Sequence, residues 1–480
     1  MENNNMAMIK GLFIALLLFA GGYPCFAQNN TQPPNVVLIL SDDHSSIFMG
    51  AYGNPDVKTP HLDQLAREGM RFTNVFTTSP QCTPSRASLM TGRAPVDIRM
   101  SRFANTLPRD IITYPEILRK AGYYTGICGR NYHLDGSGTS PETEAVFKKY
   151  NLRTFKDRVN YVKIGGNFTA LPQMKEFLDQ KPADKPFFIQ VSYNDPHYPY
   201  DAYTFEPDSS KIKMPAGMVD LPEVRKHVAG HMGEISRMDS LAGLVIAELK
   251  ARNLYENTIV IFMGDNGSAV LRGKGTLYDL GLHVPLIIKW RDHIKGGTVS
   301  NTLISGEDIA PTILDMVGAA VPQTFTGKSF KQSFNDVAFE NYDHIYAERG
   351  AHGTRLPNST FDFDLSRTVF SKKYKLIYNA LWQLPYTPVD FDEGPAWKKI
   401  KQLHLLGKLE QPYERLYFNN GKERPMFEFY DLEKDPQEMN NLNEDAAYKD
   451  VEHTYKTYLN EWMILQQDYI PLPLPPIPVK

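Results

Sequence analysis

The sequence predicts an α/β fold, with a large, mostly parallel sheet covered by helices. Three observations carry that prediction. Short, continuous apolar runs recur along the chain, as strands buried on both faces require. Segments with apolar residues at helical spacing lie between them. After roughly Gly350 this alternation gives way to hairpin-like strands.

Residues 35–40 (NVVLIL) read as the first buried strand, ending at Ser41-Asp42-Asp43. A helix follows Thr59-Pro60, with Leu62, Leu65 and Ala66 at helical spacing and Gly69 near its end. Residues 114–121 read as a helix and 123–128 as the next strand. Residues 186–193 (PFFIQVSY) form a strand that ends at Asn194-Asp195-Pro196-His197. A long amphipathic helix spans 223–252, and the strand 258–263 (TIVIFM) ends at Gly264-Asp265-Asn266-Gly267. Residues 284–290 give a further strand. Beyond Gly350, residues 367–378 look like a hairpin and 427–432 (FEFYDL) like another strand, before a proline-rich, extended end at 470–480.

The chain has 480 residues, enough for one large domain with an appendage. Its net charge of −3 gives no overall field that would attract nucleic acid or an anionic membrane. Lys10 precedes the apolar run 11–20, and Cys25-Phe26-Ala27 places small residues where a signal peptidase prefers them. Residues 1–27 are therefore expected to be a signal peptide, 28–350 a catalytic domain, and 351–480 a C-terminal subdomain. A lipid anchor on Cys25 is the competing reading, but Tyr23 and Pro24 are poor residues before a lipid-modified cysteine. The run 11–20 is too short for a stable membrane span, and no later segment is apolar enough for one. The expected product is soluble and exported, to the periplasm. Cys82 and Cys128 then remain, and a bridge between them is possible in an oxidising compartment. Otherwise Cys128 reads as a buried strand residue.

Three of the predicted strands end in acidic, amide or histidine residues. In an open α/β sheet, ligands bind beyond the carboxyl ends of the strands. These groups, about 220 positions apart in the chain, are therefore expected at one edge. Asp42, Asp43, Asp265 and Asn266 offer oxygen alone, which suits a hard cation such as Ca²⁺ rather than zinc. Either pair in isolation also fits an ordinary turn.

The most specific string is Cys82-Thr83-Pro84-Ser85-Arg86, extended through Arg93 as CTPSRASLMTGR. Four fixed positions of this kind arise by chance in roughly one chain in a thousand of this length. Its bland reading is a small buried cysteine before a Pro-Ser turn. The string resembles the C-x-P-S-R signature of type I sulfatases of the alkaline phosphatase superfamily. The resemblance implies a mixed sheet of the alkaline-phosphatase kind and a C-terminal antiparallel sheet with a helix, matched by Tyr430-Asp431-Leu432 and the residues through Leu442. It implies that Cys82 is oxidised to Cα-formylglycine by a formylglycine-generating or anaerobic sulfatase-maturating enzyme. It also implies one Ca²⁺ on Asp42, Asp43, Asp265 and Asn266.

The resemblance further assigns Arg86 to the aldehyde hydrate, and His197 and Lys274 to the sulfate and the leaving group. Arg130 and His133 stand where many sulfatases have Gly-Lys-x-His. Here the segment is Gly129-Arg130-Asn131-Tyr132-His133, with arginine for lysine and one extra residue. Arginine keeps the charge but presents a planar fork. The implied reaction has two displacements. A hydroxyl activated by Asp265 attacks sulfur as His197 or Lys274 protonates the leaving group, and His133 then withdraws a proton so that sulfate departs. Gly-Arg-x-x-His-Leu and the segment 272–278 (RGKGTLY) are similar to the sulfamidase-like group, so the implied substrate is a sulfated oligosaccharide. His44, Arg99, Arg102, Arg272 and His283 are candidates for sugar contacts. Hydrolysis of phosphonate monoesters or phosphodiesters, and glycan binding without catalysis, are the alternatives.

Overall fold

Every side chain of strand β1 (Asn35–Ser41) is buried, as a central strand covered on both faces demands. The computed structural model describes residues 32–473 except 104–105, 131–140, 353–358 and 393, and omits the side chains of 141, 143 and 144. Seven more strands join β1: β2 (Met70–Phe76), β3 (Tyr124–Gly129), β4 (Tyr161–Ile164), β5 (Phe187–Ser192), β6 (Thr258–Gly264), β7 (Leu286–Lys289) and β8 (Thr298–Ser305). Their order is β4-β3-β5-β1-β6-β7-β2-β8. β7 is antiparallel to both its neighbours, and every other pairing is parallel. The sheet is thus large, mixed and mostly parallel.

The two-residue period of β1 sorts its side chains between two cores. Val37 and Ile39 pack with Leu62, Met174, Phe177 and Val228, which come from the helices Pro60–Glu68, Asn167–Gln180 and Pro222–Ala251. Val36, Leu38 and Leu40 pack with Leu89, Leu118 and Ile313, from the helices Cys82–Thr91, Tyr114–Lys120 and Ile309–Met316. Helices therefore sandwich the sheet. Each fully buried aliphatic side chain of this kind contributes about 1.5–3 kcal/mol.

The C-terminal part adds an antiparallel sheet of β9 (Ile345–Arg349), β10 (Ser366–Phe370), β11 (Tyr374–Asn379) and β12 (Phe427–Asp431), in the order β12-β11-β10-β9. Val369, Leu376 and Phe429 of this sheet pack on Leu459, Trp462 and Met463 of the helix Lys449–Leu465. β9 lies ahead of Gly350, and Pro33–Lys480 forms one unit. No helix among the described residues is long and apolar enough to cross a membrane.

Most of the expected elements are present within a residue or two. The segment 284–290 is a shorter strand, β7, running against its neighbours. Where the bland reading of Cys82 put a turn, the helix Cys82–Thr91 begins. Cys82 and Cys128 are both free, so they do not form a bridge, and Cys128 is buried in β3.

Candidate active site

Four neighbouring parallel strands deliver the site. β3, β5, β1 and β6 lie side by side, and the register pairs Gly129 with Ser192, Leu40 with Ser192 and Ser41 with Gly264. Their carboxyl ends are therefore level, and the next residues (Arg130, the 194–197 turn, Asp42-Asp43 and Asp265-Asn266) emerge together. Gly129 makes the close approach possible. It has φ +78°, and a Cβ there would lie 2.0 Å from the Ser192 carbonyl oxygen. Arg237 fixes the 194–197 turn by gripping both Asp195 carboxylate oxygens, at 2.7 and 2.8 Å.

Cys82 is the first residue of its helix, and Arg86 follows one turn later on the same face. Both are fully buried. The Cys82 Sγ lies 3.2 Å from Asp42 Oδ1 and 3.7 Å from Asp43 Oδ1. Arg86 joins the ends of β1 and β6. Its Nε is 2.7 Å from Asp265 Oδ2, its Nη2 is 3.2 Å from Asp42 Oδ2, and its Nη1 donates to the Arg130 carbonyl at 2.8 Å. The Arg130 Nε also pairs with Asp42. Lys274, 1% exposed, donates to Asp43 Oδ2 at 2.8 Å and to Asp390 Oδ2 at 2.6 Å. The His197 Nδ1–H points at the Tyr198 carbonyl, which leaves Nε2 to face Asp390 at 3.6 Å and Asp43 at 3.9 Å.

The donor set fits a hard cation. Carboxylate oxygens of Asp42, Asp43 and Asp265 lie within 4.8 Å of one another. The amide of Asn266 is turned so that Nδ2 donates to Asp43 Oδ1 at 2.8 Å, while its buried Oδ1 has no hydrogen-bond partner. Burial, and then the opposing pull of Lys274 with repulsion from Asp42 and Asp390, leave Asp43 pushed up to about 7. Burial and the Asp42 charge push Asp265 up to about 7 as well. Burial also opposes ionisation of Asp42, but Arg130 and Arg86 hold it well below the usual carboxylate range. A cation bound among these oxygens would relieve the crowding.

Burial, then the Asp42 charge, push the Cys82 thiol well above its usual value. An unmodified Cys82 is therefore a thiol rather than a thiolate, and so a poor nucleophile. Burial and then Lys274 push His197 down to about 4, so the free protein holds its imidazole neutral.

Nine of the ten residues expected for catalysis and metal binding meet in this one cluster. The tenth, His133, lies outside the described residues. Most of the suggested sugar-contact residues stand elsewhere. His44 is fully buried, with Nδ1 3.1 Å from Ser41 Oγ. His283 stacks on Phe76 and reaches the Thr73 carbonyl at 2.8 Å. Arg272 lies over the Tyr278 ring and donates to the Glu438 carbonyl at 2.6 Å. It lines a cavity of about 680 Å³ whose walls include Tyr278, Arg349 and Tyr386 but none of the cluster residues. Arg99 and Arg102 are exposed, with Asp110 3.9 Å from Arg99.

Two residues near the cluster were missed. Asp390 comes from the stretch between β11 and the helix Pro395–Leu405, and His352 follows the end of β9. The His352 Nδ1 is 3.0 Å from Gln81 Nε2, and its ring interacts electrostatically with Asp390 and His197. No local signal marks either residue, because a lone aspartate or histidine in a turn-rich stretch is commonplace.

Carboxylates at a strand edge, buried cations beside them and an enclosed cysteine thus form one buried, highly charged cluster. A family model described as Sulfatase matches residues 34–319, and one described as N-sulphoglucosamine sulphohydrolase, C-terminal, matches residues 269–396. The chain belongs to the sulfatase family and is a sulfuric ester hydrolase. It is similar to the human N-sulphoglucosamine sulphohydrolase, at 27% identity over 90% of each chain. It is also similar to an ulvan-active sulfatase of Formosa agariphila, at 27% identity over 92% of this chain and 76% of the relative. In fold it resembles a solved protein bound to its substrate D-glucosamine-2-N,6-O-disulfate (TM-score 0.69, 18% identity, 92% of this chain and 100% of the other). It also resembles a phosphonate monoester hydrolase from Silicibacter pomeroyi (TM-score 0.66, 19% identity, 91% and 96% covered).

Proposed function

We propose that this chain is an exported sulfatase that hydrolyses an O-sulfate ester or an N-sulfate of a sulfated glycan. One observation carries the reading: Cys82 Sγ sits 3.2 Å from Asp42 in a buried nest of three carboxylates, Arg86 and Lys274. The glycan substrate is supported by the names of the relatives, N-sulphoglucosamine sulphohydrolase and ulvan-active sulfatase.

Asp42, Asp43, Asp265 and Asn266 would hold one Ca²⁺, which supplies fixed positive charge beside the sulfuryl oxygens. Cys82 would be matured to Cα-formylglycine by a formylglycine-generating or anaerobic sulfatase-maturating enzyme. Hydrated, that group supplies two hydroxyls on one carbon, one to attack sulfur and one through which sulfate is released without attack by water.

The other side chains orient and move charge. Arg86, clamped by Asp265 and Asp42, holds the first turn of the helix against the ends of β1 and β6. Lys274 and Arg130 are fixed cations aimed at the charge that develops during cleavage. The His197 Nε2 is the position from which a proton reaches the leaving oxygen or nitrogen. An arriving sulfate raises the affinity of that nitrogen for a proton. His133 is assigned the second proton transfer.

The test is sulfate release by the full chain, co-produced with a maturation system and supplied with Ca²⁺. Its substrates are a panel of defined sulfated mono- and disaccharides, 4-methylumbelliferyl sulfate, a phosphodiester and a phosphonate monoester. Release of sulfate alone, with a mass change at Cys82, supports the reading. Preference for the phosphorus substrates replaces it with the alternative chemistry. Cys82→Ala should fold normally and lose on the order of 10⁴-fold or more in turnover. Full activity in that variant would end the proposal. Export is tested by finding the native protein in the periplasm, cut after residue 27.

A further inference from the structure

Asp390 is out of place for a residue that only completes an anion site. Its Oδ2 is taken by Lys274 at 2.6 Å and faces His197 Nε2 at 3.6 Å. Among the described residues no hydrogen bond reaches its Oδ1, and the side chain is 21% exposed beside a His197 that is 22% exposed. Cys82, Arg86, Asp42, Asp43 and Asp265 are all sealed within the protein. Among the described residues of the cluster, the side-chain surface left exposed belongs mainly to Asp390 and His197, and the leaving group is placed on that side. The backbone of Asp390 adopts a left-handed conformation, φ 58°, which costs free energy in a residue with a side chain. Its ionised carboxylate also repels an incoming sulfate. A hydrogen-bond donor brought by the substrate to the outward oxygen would offset that repulsion.

We propose that Asp390 is a specificity-determining residue whose outward oxygen accepts a hydrogen bond from an N–H or O–H of the leaving group, close to the scissile sulfur bond. The site then favours amino- and hydroxyl-bearing sugar sulfates over donor-free aryl sulfates. This inference rests on the sulfatase reading of the same site.

The experiment compares kcat/KM of the wild-type chain, Asp390→Asn and Asp390→Ala on two substrates. One is the sugar sulfate cleaved best in the panel, and the other is 4-methylumbelliferyl sulfate, which has no donor near its sulfate. Asparagine retains a neutral acceptor for Lys274. A disturbed His197 weighs more on a poor sugar leaving group than on an aryl oxygen, so the variants are also read on the same sugar sulfate with its neighbouring hydroxyl methylated, where they should lose no more than about twofold. The ratio of sugar to aryl kcat/KM should fall at least about tenfold in both variants, the scale of a hydrogen bond to a charged group. A ratio unchanged within about twofold, or a wild-type enzyme that cleaves only the aryl sulfate, overturns the inference. If neither variant folds, the wild-type enzyme is tested on the same sugar sulfate with its neighbouring hydroxyl or amine methylated. A loss below about twofold then overturns it. Wild-type inactivity on every sulfate would instead refute the sulfatase reading.

Discussion

Arg86 is the counter-charge on which the buried carboxylates depend, and replacing it measures how far they do. Arg86→Met keeps the length of the side chain and removes its charge. Asp265 loses its charged partner at 2.7 Å, Asp42 loses one at 3.2 Å but keeps Arg130, and the Arg130 carbonyl loses a donor at 2.8 Å. Removing one member of a buried ion pair costs about 3–5 kcal/mol, and the lost donor adds about 1 kcal/mol. At about 2.1 cal/mol/K per residue, unfolding a chain of this size has an entropy of roughly 1 kcal/mol/K. The expected fall in Tm is thus about 4–6 °C in the presence of EGTA. A bound cation neutralises the same oxygens, so the fall should be smaller in millimolar Ca²⁺, because the two perturbations act on one cluster. Arg86→Lys, which keeps the charge and loses the fork, should lie between. Scanning calorimetry at several scan rates reads this directly. A shift within about 1 °C in EGTA would refute the picture of Arg86 as the partner of both strand ends.

Three further outcomes follow from the same geometry. EGTA should abolish sulfate release, with Ca²⁺ restoring it better than Mg²⁺, because four crowded oxygen donors suit the larger ion. Tm should climb with Ca²⁺, by about 3 °C at a hundred times Kd, and a Tm indifferent to Ca²⁺ would remove the metal from the site. Burial holds His44 at about 3 and His227 at about 4, below the ordinary histidine value near 6.5. The unfolded chain therefore binds protons that the fold refuses, and stability should fall as pH drops from about 6.5 to about 4. His227→Gln should flatten that limb in a Tm-against-pH series, and a slope equal to the wild type would count against it. Gly275 has φ +78°, and a Cβ there would lie 2.3 Å from Val389 and 2.8 Å from the Arg349 guanidinium. Gly275→Ala should cost roughly 1–2 kcal/mol for the backbone alone, plus the shift of Val389, and should disturb its neighbour Asp390. Unchanged Tm and unchanged sugar-to-aryl ratio would show that the loop yields freely.

What the sequence disclosed about this molecule follows from how locally each feature is specified. β1, β5 and β6 announce themselves because both faces are buried, leaving uninterrupted apolar runs. β2 and β8 carry half-exposed or exposed residues such as Arg71, Thr73 and Asn74 or Thr298 and Asn301, so their strand character comes from pairing with each other. The reversed direction of β7 is a property of its neighbours, which no periodicity encodes. The helix Cys82–Thr91 is buried on every side, so the polar face that betrays a surface helix is missing, and its Thr, Pro and Ser residues read as a turn. The candidate cluster was legible where its residues sit immediately after recognisable strands or inside one dense motif. Asp390 satisfies neither condition. It lies 116 positions from Lys274 and meets it only because the stretch that follows β11 folds back over the strand edge. In the proposed reading, the residues assigned to the sulfuryl group lie at the ends of the parallel strands and on the helix and loop packed against them, whereas the one proposed to face the leaving group comes from the C-terminal part. Substrate choice can then change in that part without disturbing the machinery that the strand ends hold in place.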